Sequence, residues 1–282
     1  MDTLQRPSWL KKKIIVDRKR AVPDLLRSLT LSTVCQEAGC PNISECFLER
    51  HATFLILGRN CTRRCLFCRV AKNPPQSLDP NEPSNIASAV KALDLRHVVI
   101  TSVCRDDLAD GGASVFVQTM QEIKKKSCEA RVELLIPDFQ GRTDCLDSIA
   151  ACQPHIVGHN IETVPRLYFL RPQADYKRSL FVLNHLKQVK KDQLTKSSLL
   201  LGLGEGRQEV LGAFEDLRGA GCDFLALGQY LKPSQAQVDV REYITPELFD
   251  WYKEKALKMG FRHVESGPYV RSSYRAQEYL EV

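Results

Sequence analysis

Apolar runs rich in β-forming residues recur along this chain at 54–58, 97–103, 132–136, 155–157, 198–203 and 224–227. Longer stretches with helical spacing lie between them, at 85–95, 115–125, 175–191 and 208–220. Strand then helix, repeated, implies parallel βαβ units. Six units fall short of the eight that close a TIM barrel. The alternation therefore predicts an α/β fold, a partial and open (β/α)6 TIM-like barrel over 51–239. Active sites of such folds lie at the C-terminal ends of the strands. Five polar or glycine-rich segments follow the strands, CTRRCLFC, TSVCRDDLADGG, GHNIE, GLGEG and GQYLKPS, and should converge on one mouth. Two extensions flank the barrel. Residues 1–50 have little clear period, and 240–282 hold a helix near 246–259, a short strand around 263–265 and the segment GPYVRSSY.

Composition narrows the class. Hydrophobic residues are 43% and charged residues 26% of 282, ordinary values for a folded protein. No apolar run approaches a membrane span, and the basic N-terminus lacks the apolar core of a signal peptide. Early acidic residues and few serines argue against a transit peptide. A cytoplasmic protein is expected. The net charge is +6, with lysines and arginines gathered in the first twenty residues and at Lys124, Lys125 and Lys126. Two readings stay open for this charge: a solvated basic face, or a docking surface for an acidic protein or phosphate. Nucleic acid is not expected, because no DNA-binding motif, zinc-finger spacing or aromatic platform is present.

There are eleven cysteines, an odd number that a complete disulfide framework cannot use. In a reducing compartment such thiols serve more often as metal ligands or catalytic groups. Six fall within 35–68, in two triplets. Cys61, Cys65 and Cys68 form a Cys-x3-Cys-x2-Cys loop directly after a predicted strand. A cubane iron–sulfur cluster takes four protein ligands, so three leave one iron open for a small molecule. A structural zinc site or a set of buried thiols is the competing reading; zinc favours four ligands, and no fourth is close in sequence. Cys35, Cys40 and Cys46 form a wider Cys-x4-Cys-x5-Cys array, again one ligand short. The scattered Cys104, Cys128, Cys145, Cys152 and Cys222 read mostly as buried small hydrophobes.

The CTRRCLFC loop, with Phe67 before its last cysteine, resembles the signature of radical S-adenosylmethionine enzymes. The likeness narrows to the lipoyl synthases through CQEAGCPNISEC, and it continues in order along nearly the whole chain: RPSWL, LGRNCTRRCLFC, TSVCRDDLADGG, HNIETV, LLLGLGE, LGQYLKPS and GPYVRSSYRA. That resemblance implies two [4Fe-4S] clusters and S-adenosylmethionine. Cys61, Cys65 and Cys68 would hold the cluster that cleaves S-adenosylmethionine to methionine and a 5′-deoxyadenosyl radical. Cys35, Cys40 and Cys46 would hold an auxiliary cluster that is consumed as sulfur donor. The product would be a lipoyl group, made by inserting sulfur at C6 and C8 of a protein-bound octanoyl-lysine.

By residue type alone, RSSY is a polar surface turn and HNIE a capped helix start. The resemblance assigns them otherwise. Ser273 becomes the fourth ligand of the auxiliary cluster, an oxygen donor more labile on iron than a thiolate. Asn160 and Glu162 become contacts of the S-adenosylmethionine ribose, and Arg171 and Glu205 contacts of its methionine carboxylate and ammonium. Implied partners are an octanoylated lipoyl domain or H protein as substrate, an electron-donor protein and an iron–sulfur carrier, with the enzyme a monomer. The chain departs from the family in Cys104, where Asp is usual, in Phe47, often Trp, and in Ser197 and Ser198 in place of Thr-Gly. Cys104 puts an electrostatic or hydrogen-bonding role at that position in doubt. A biotin synthase-like sulfur inserter and a non-catalytic zinc-binding module are the alternatives; the array at 35–46 and RSSY argue against the first, and metal content separates the second.

Overall fold

The computed structural model describes residues 5–12, 21–49 and 51–280. Much of the expected basic arm, residues 1–4 and 13–20, lies outside the described residues. One eight-stranded sheet organises the molecule, with its strands in chain order. They are β1 (Ser32–Thr33), β2 (Thr53–Ile56), β3 (His97–Ser102), β4 (Arg131–Leu135), β5 (Ile156–Gly158), β6 (Leu194–Leu201), β7 (Phe224–Gln229) and β8 (His263–Gly267). β1 pairs antiparallel with β2. Every later pairing, from β2–β3 to β7–β8, is parallel. The open, partial barrel expected from the sequence is present, and the sheet exceeds the expectation at both edges. The first extension supplies the antiparallel edge β1, and the short strand expected around 263–265 is β8, which joins the sheet as a further parallel strand.

The helices pack outside the sheet: α1 (Ala21–Ser28), α2 (Val34–Glu37), α3 (Ile43–Leu48), α4 (Glu82–Ala92), α5 (Ala113–Lys126), α6 (Thr143–Ala151), α7 (Tyr176–Val189), α8 (Arg207–Gly219) and α9 (Pro246–Lys258). Their starts follow local chemistry. The Asp175 carboxylate accepts from the Arg178 amide at 2.7 Å to begin α7, and Thr245 followed by Pro246 begins α9. Strands β2 and β7 are buried along their whole length, as parallel strands covered on both faces must be.

The core strand β6 hides polar residues. Lys196 and Glu133 are both fully buried and paired at 2.9 Å across the barrel interior, and Ser197 is buried beside them. This polar stretch is why the apolar pattern predicts the strand only from 198, whereas it begins at Leu194.

From the end of β8 the chain crosses the open side of the barrel, from the mouth to the base. Near the start of this strap the Val270 carbonyl lies where a Cβ on Gly228 would come within 2.0 Å of it, so β7 needs glycine there. Asn42 donates to the Tyr269 carbonyl at 2.7 Å, and Tyr274 donates to Glu45 at 3.1 Å. At the far end the fully buried Tyr279 packs edge-on against Phe224, with ring centroids 5.4 Å apart, under the Lys196 ammonium at 3.9 Å. Among the described residues no helix is long and apolar enough to cross a membrane.

Candidate active site

The loop carrying Cys61, Cys65 and Cys68 leaves the mouth end of β2. Left-handed backbone at Leu57 and Gly58 turns the chain, and a bridge between Asn60 and Ala71 draws the two ends of the loop together. Arg63 then anchors it inward. Its guanidinium is almost fully buried, donates to both oxygens of Asp106 at 2.8 Å, and reaches Asp138 beyond β4 at 2.6 Å. Arg63 outweighs the effect of burial on Asp138 and holds that carboxyl down at about 2. Lys72 donates to the Cys65 and Cys68 carbonyls at 3.2 Å. None of these contacts uses a cysteine sulfur.

The three thiols are free and half-buried. Burial raises Cys65 and pushes Cys68 up to about 12, and each is raised further by its neighbours in the triplet. Cys61 differs. The Cys104 side chain hydrogen-bonds to it and, against burial, draws its thiol down to about 6; the Cys104 amide also donates to the Cys61 sulfur at 3.4 Å. The hydrogen-bonding role in doubt at position 104 is therefore filled by a thiol and its backbone.

Asn160, Glu162 and Arg171 stand beside this loop. Glu162 has a left-handed backbone and is clipped to β6, donating to Ser198 and accepting from Leu200 at 2.9 and 2.8 Å. No α-helix starts there; a 3-10 turn follows at Pro165–Leu170. Asn160 donates to the Glu162 carboxylate at 3.0 Å, and burial raises that carboxyl. Arg171 donates to the Asn160 and Ile161 carbonyls at 3.2 and 3.0 Å, leaves its buried Nε without a partner, and lowers the neighbouring Cys65 thiol by its charge. Glu205 is placed differently. Its carboxylate accepts from the Gly202 and Leu203 amides at 2.5 and 2.9 Å, so it braces its own turn.

The other triplet lines a cavity of about 370 Å³ with Thr53, His97 and Ser273. Cys35 sits on α2, Cys40 in the following turn and Cys46 on α3. Burial lifts Cys35 to about 11 and Cys46 to about 12, with mutual repulsion adding to both. Thr53 donates to the Ser273 hydroxyl at 2.7 Å across 220 residues of sequence. In neither triplet do all three sulfurs lie within 4.8 Å of one another, whereas thiolates at 2.3 Å from one zinc stand about 3.8 Å apart. The donor sets thus suit a cluster better than a single zinc ion.

Sequence reasoning missed two residues between the sites. Ser272 donates to the Asn160 side chain at 3.0 Å. Arg271 feels the charge of both Cys40 and Glu162. Their only sequence signal is adjacency to Ser273. Lys124, Lys125 and Lys126, for which a solvated face and a docking surface are both open readings, end α5 and lead toward the start of β4. They therefore lie at the opposite end of the barrel from this mouth, and two of them bond to neighbouring helices, Lys124 to the Cys152 carbonyl and Lys126 to Ser84 and Ser88.

Comparison with known proteins bears on both sites. A model of the radical SAM superfamily matches residues 55–217. The chain is 55% identical over 282 residues to the lipoyl synthase of Geobacter sp. (strain M21), covering 100% of this chain and 97% of that one. It is 51% identical to the lipoyl synthase of Alkaliphilus metalliredigens (strain QYMF), covering 100% and 98%. Among solved structures, methylornithine synthase superposes with a TM-score of 0.57 at 13% identity, covering 89% of this chain and 72% of that one. Streptococcus suis SuiB bound to S-adenosylmethionine gives 0.58 at 11% identity, covering 77% and 50%. At those identities the structural likeness speaks for the fold alone.

Proposed function

The chain belongs to the lipoyl synthase family of the radical SAM superfamily, and from that premise we propose how its own residues divide the work. It is a sulfur-inserting enzyme that acts on a protein-bound octanoyl chain and uses S-adenosylmethionine and [4Fe-4S] clusters. When bound, one cluster with S-adenosylmethionine supplies a radical able to take hydrogen from the unactivated C6 and C8 positions, and the other supplies the sulfur.

Cys61, Cys65 and Cys68 hold the first of these. Arg63, Asp106 and Asp138 keep their loop seated on β3 and β4 without consuming a sulfur. Asn160 and Glu162 present paired donors and acceptors suited to a ribose diol. Arg171, whose buried Nε has no partner and whose charge reaches Cys65, suits the methionine carboxylate. Glu205 is tied into its turn, and any contact with the methionine ammonium would compete with Gly202 and Leu203.

Cys35, Cys40 and Cys46, with Ser273 as fourth donor, hold the sulfur-supplying cluster. The observation that carries this reading is the Ser273 hydroxyl, brought from the far end of the chain onto the cavity of that triplet. By this division 1–50 and 240–282 together form the auxiliary-cluster module, and 51–239 the radical-generating barrel. The finer partners are an octanoylated lipoyl domain or H protein, an electron-donor protein and an iron–sulfur carrier, acting on a cytoplasmic monomer. The exposed side chains of Leu66 and Phe169, 40% and 66% accessible beside the cluster loop, offer apolar ground for a protein-borne substrate.

Anaerobic reconstitution should load about eight irons per chain, two cubanes. Incubation with S-adenosylmethionine, a reductant and an octanoyl-lysyl peptide should give 5′-deoxyadenosine together with the dithiolane. Four irons per chain, or 5′-deoxyadenosine with no dithiolane, would overturn the assignment of 35–46 as sulfur source.

A further inference from the structure

We propose that Ser272 is a positioning residue that links the S-adenosylmethionine pocket to the oxygen ligand of the auxiliary cluster. This rests on the reading above, in which Asn160 lines that pocket and Ser273 completes the 35–46 triplet.

The Asn160 amide is engaged at both ends. Its nitrogen donates to Glu162 at 3.0 Å, and its oxygen accepts from the Ser272 hydroxyl at 3.0 Å. A ribose hydroxyl that uses the Asn160 oxygen must share it with Ser272 or displace Ser272. The next residue, Ser273, accepts from Thr53 in the cluster cavity. Neighbouring Cα atoms are about 3.8 Å apart, so one peptide unit spans the two sites. The strap is held on either side of this pair, by Val270 against Gly228 and by Tyr274 on Glu45. A change at Ser272 therefore falls on Ser273. Occupancy of the pocket weakens the hold of Ser273, and the auxiliary site in turn affects cofactor affinity, since coupling between two binding sites is reciprocal.

The test uses the holoenzyme with both clusters and S-adenosylmethionine without reductant, so that no turnover occurs. The readouts are cofactor affinity, the Mössbauer signature of the oxygen-ligated iron, and iron release to a chelator. In the native protein, S-adenosylmethionine should alter that signature and speed iron release several-fold. Ser272→Ala should release iron at one rate with or without the cofactor. It should also bind the cofactor about three- to tenfold more tightly, the effect of removing one competing neutral hydrogen bond. Ser272→Thr keeps the hydroxyl and should restore both behaviours, which separates coupling from misfolding. An unaltered native signature in the presence of S-adenosylmethionine, or a full native response in Ser272→Ala, overturns the coupling while leaving the function intact. If Ser273→Ala holds the cluster as firmly as the native chain, the ligand reading fails and the coupling fails with it.

Discussion

A single side chain, Cys104, sets the chemistry of its neighbour. Its hydrogen bond draws the Cys61 thiol down from 9.0 to about 6, so in the cluster-free protein Cys61 is a thiolate above about pH 6 and a thiol below it. Because the folded value is the lower one, the stabilisation from Cys61 is present at neutral pH and lost as the pH falls through 6, while above pH 9 Cys104, raised by the same hydrogen bond, opposes it. An aspartate at 104 would act in the opposite direction by like charge. Alkylation of Cys61 in the cluster-free chain should therefore titrate with a midpoint near pH 6. Cys104→Ala should move that midpoint toward 9 and slow labelling at neutral pH by roughly an order of magnitude. An unchanged midpoint would place the cause elsewhere. On the ligand role proposed for Ser273, the donor atom is what counts. Ser273→Cys should retain iron but transfer sulfur poorly, because a thiolate leaves iron less readily than an alkoxide. Ser273→Ala should lower dithiolane yield by about tenfold or more; full yield would remove the ligand role.

At the level of elements, the cluster loop depends on the strands behind it. Arg63 and Asp138 are 4% and 1% exposed, and removing one member of a buried ion pair costs about 3 kcal/mol or more. Asp138→Ala should lower stability by that order in urea unfolding and impair cluster loading, whereas Asp144→Ala, in an exposed pair with Arg142, should change neither. The native pair holds Asp138 near 2, so its contribution persists at neutral pH and fades only as acid brings the pH through that value. None of this pairing could be seen in TRR or DFQ, because charge complementarity between β2, β3 and β4 appears only once they are neighbours. The parallel strands were legible where their runs are apolar, as in β2 and β7. The start of β6 was not, since Lys196 and its serines are polar and yet buried. α6 was missed because TDCLDSIAA offers only a short apolar stripe. The two cysteine triplets and RSSY were legible as motifs, because their spacing is local. The contact of Ser272 with Asn160, 112 residues apart, was not.

Across the whole molecule the strap from Gly267 to Leu280 does what a closed barrel does with further strands, covering the open side and filling the base. Tyr279 is the plug, fully buried among Phe224, Lys196 and His263. Replacing a buried aromatic by alanine costs about 3–5 kcal/mol. Tyr279→Ala should thus lower the melting temperature by several degrees and loosen the auxiliary site more than the radical site; equal iron loss from both would show that the strap serves the fold as a whole. The strap also has a consequence during synthesis. Cys35, Cys40 and Cys46 leave the ribosome long before Ser273, whose partner Thr53 lies 220 residues upstream. Until that late segment arrives, the three early thiols have Thr53 beside them but not Ser273, and their cavity lacks the wall that the strap provides. On the proposed ligand role of Ser273, a nascent or shortened chain is confined to a three-thiol site, and the sulfur reagent would load in working form only once the strap has been made.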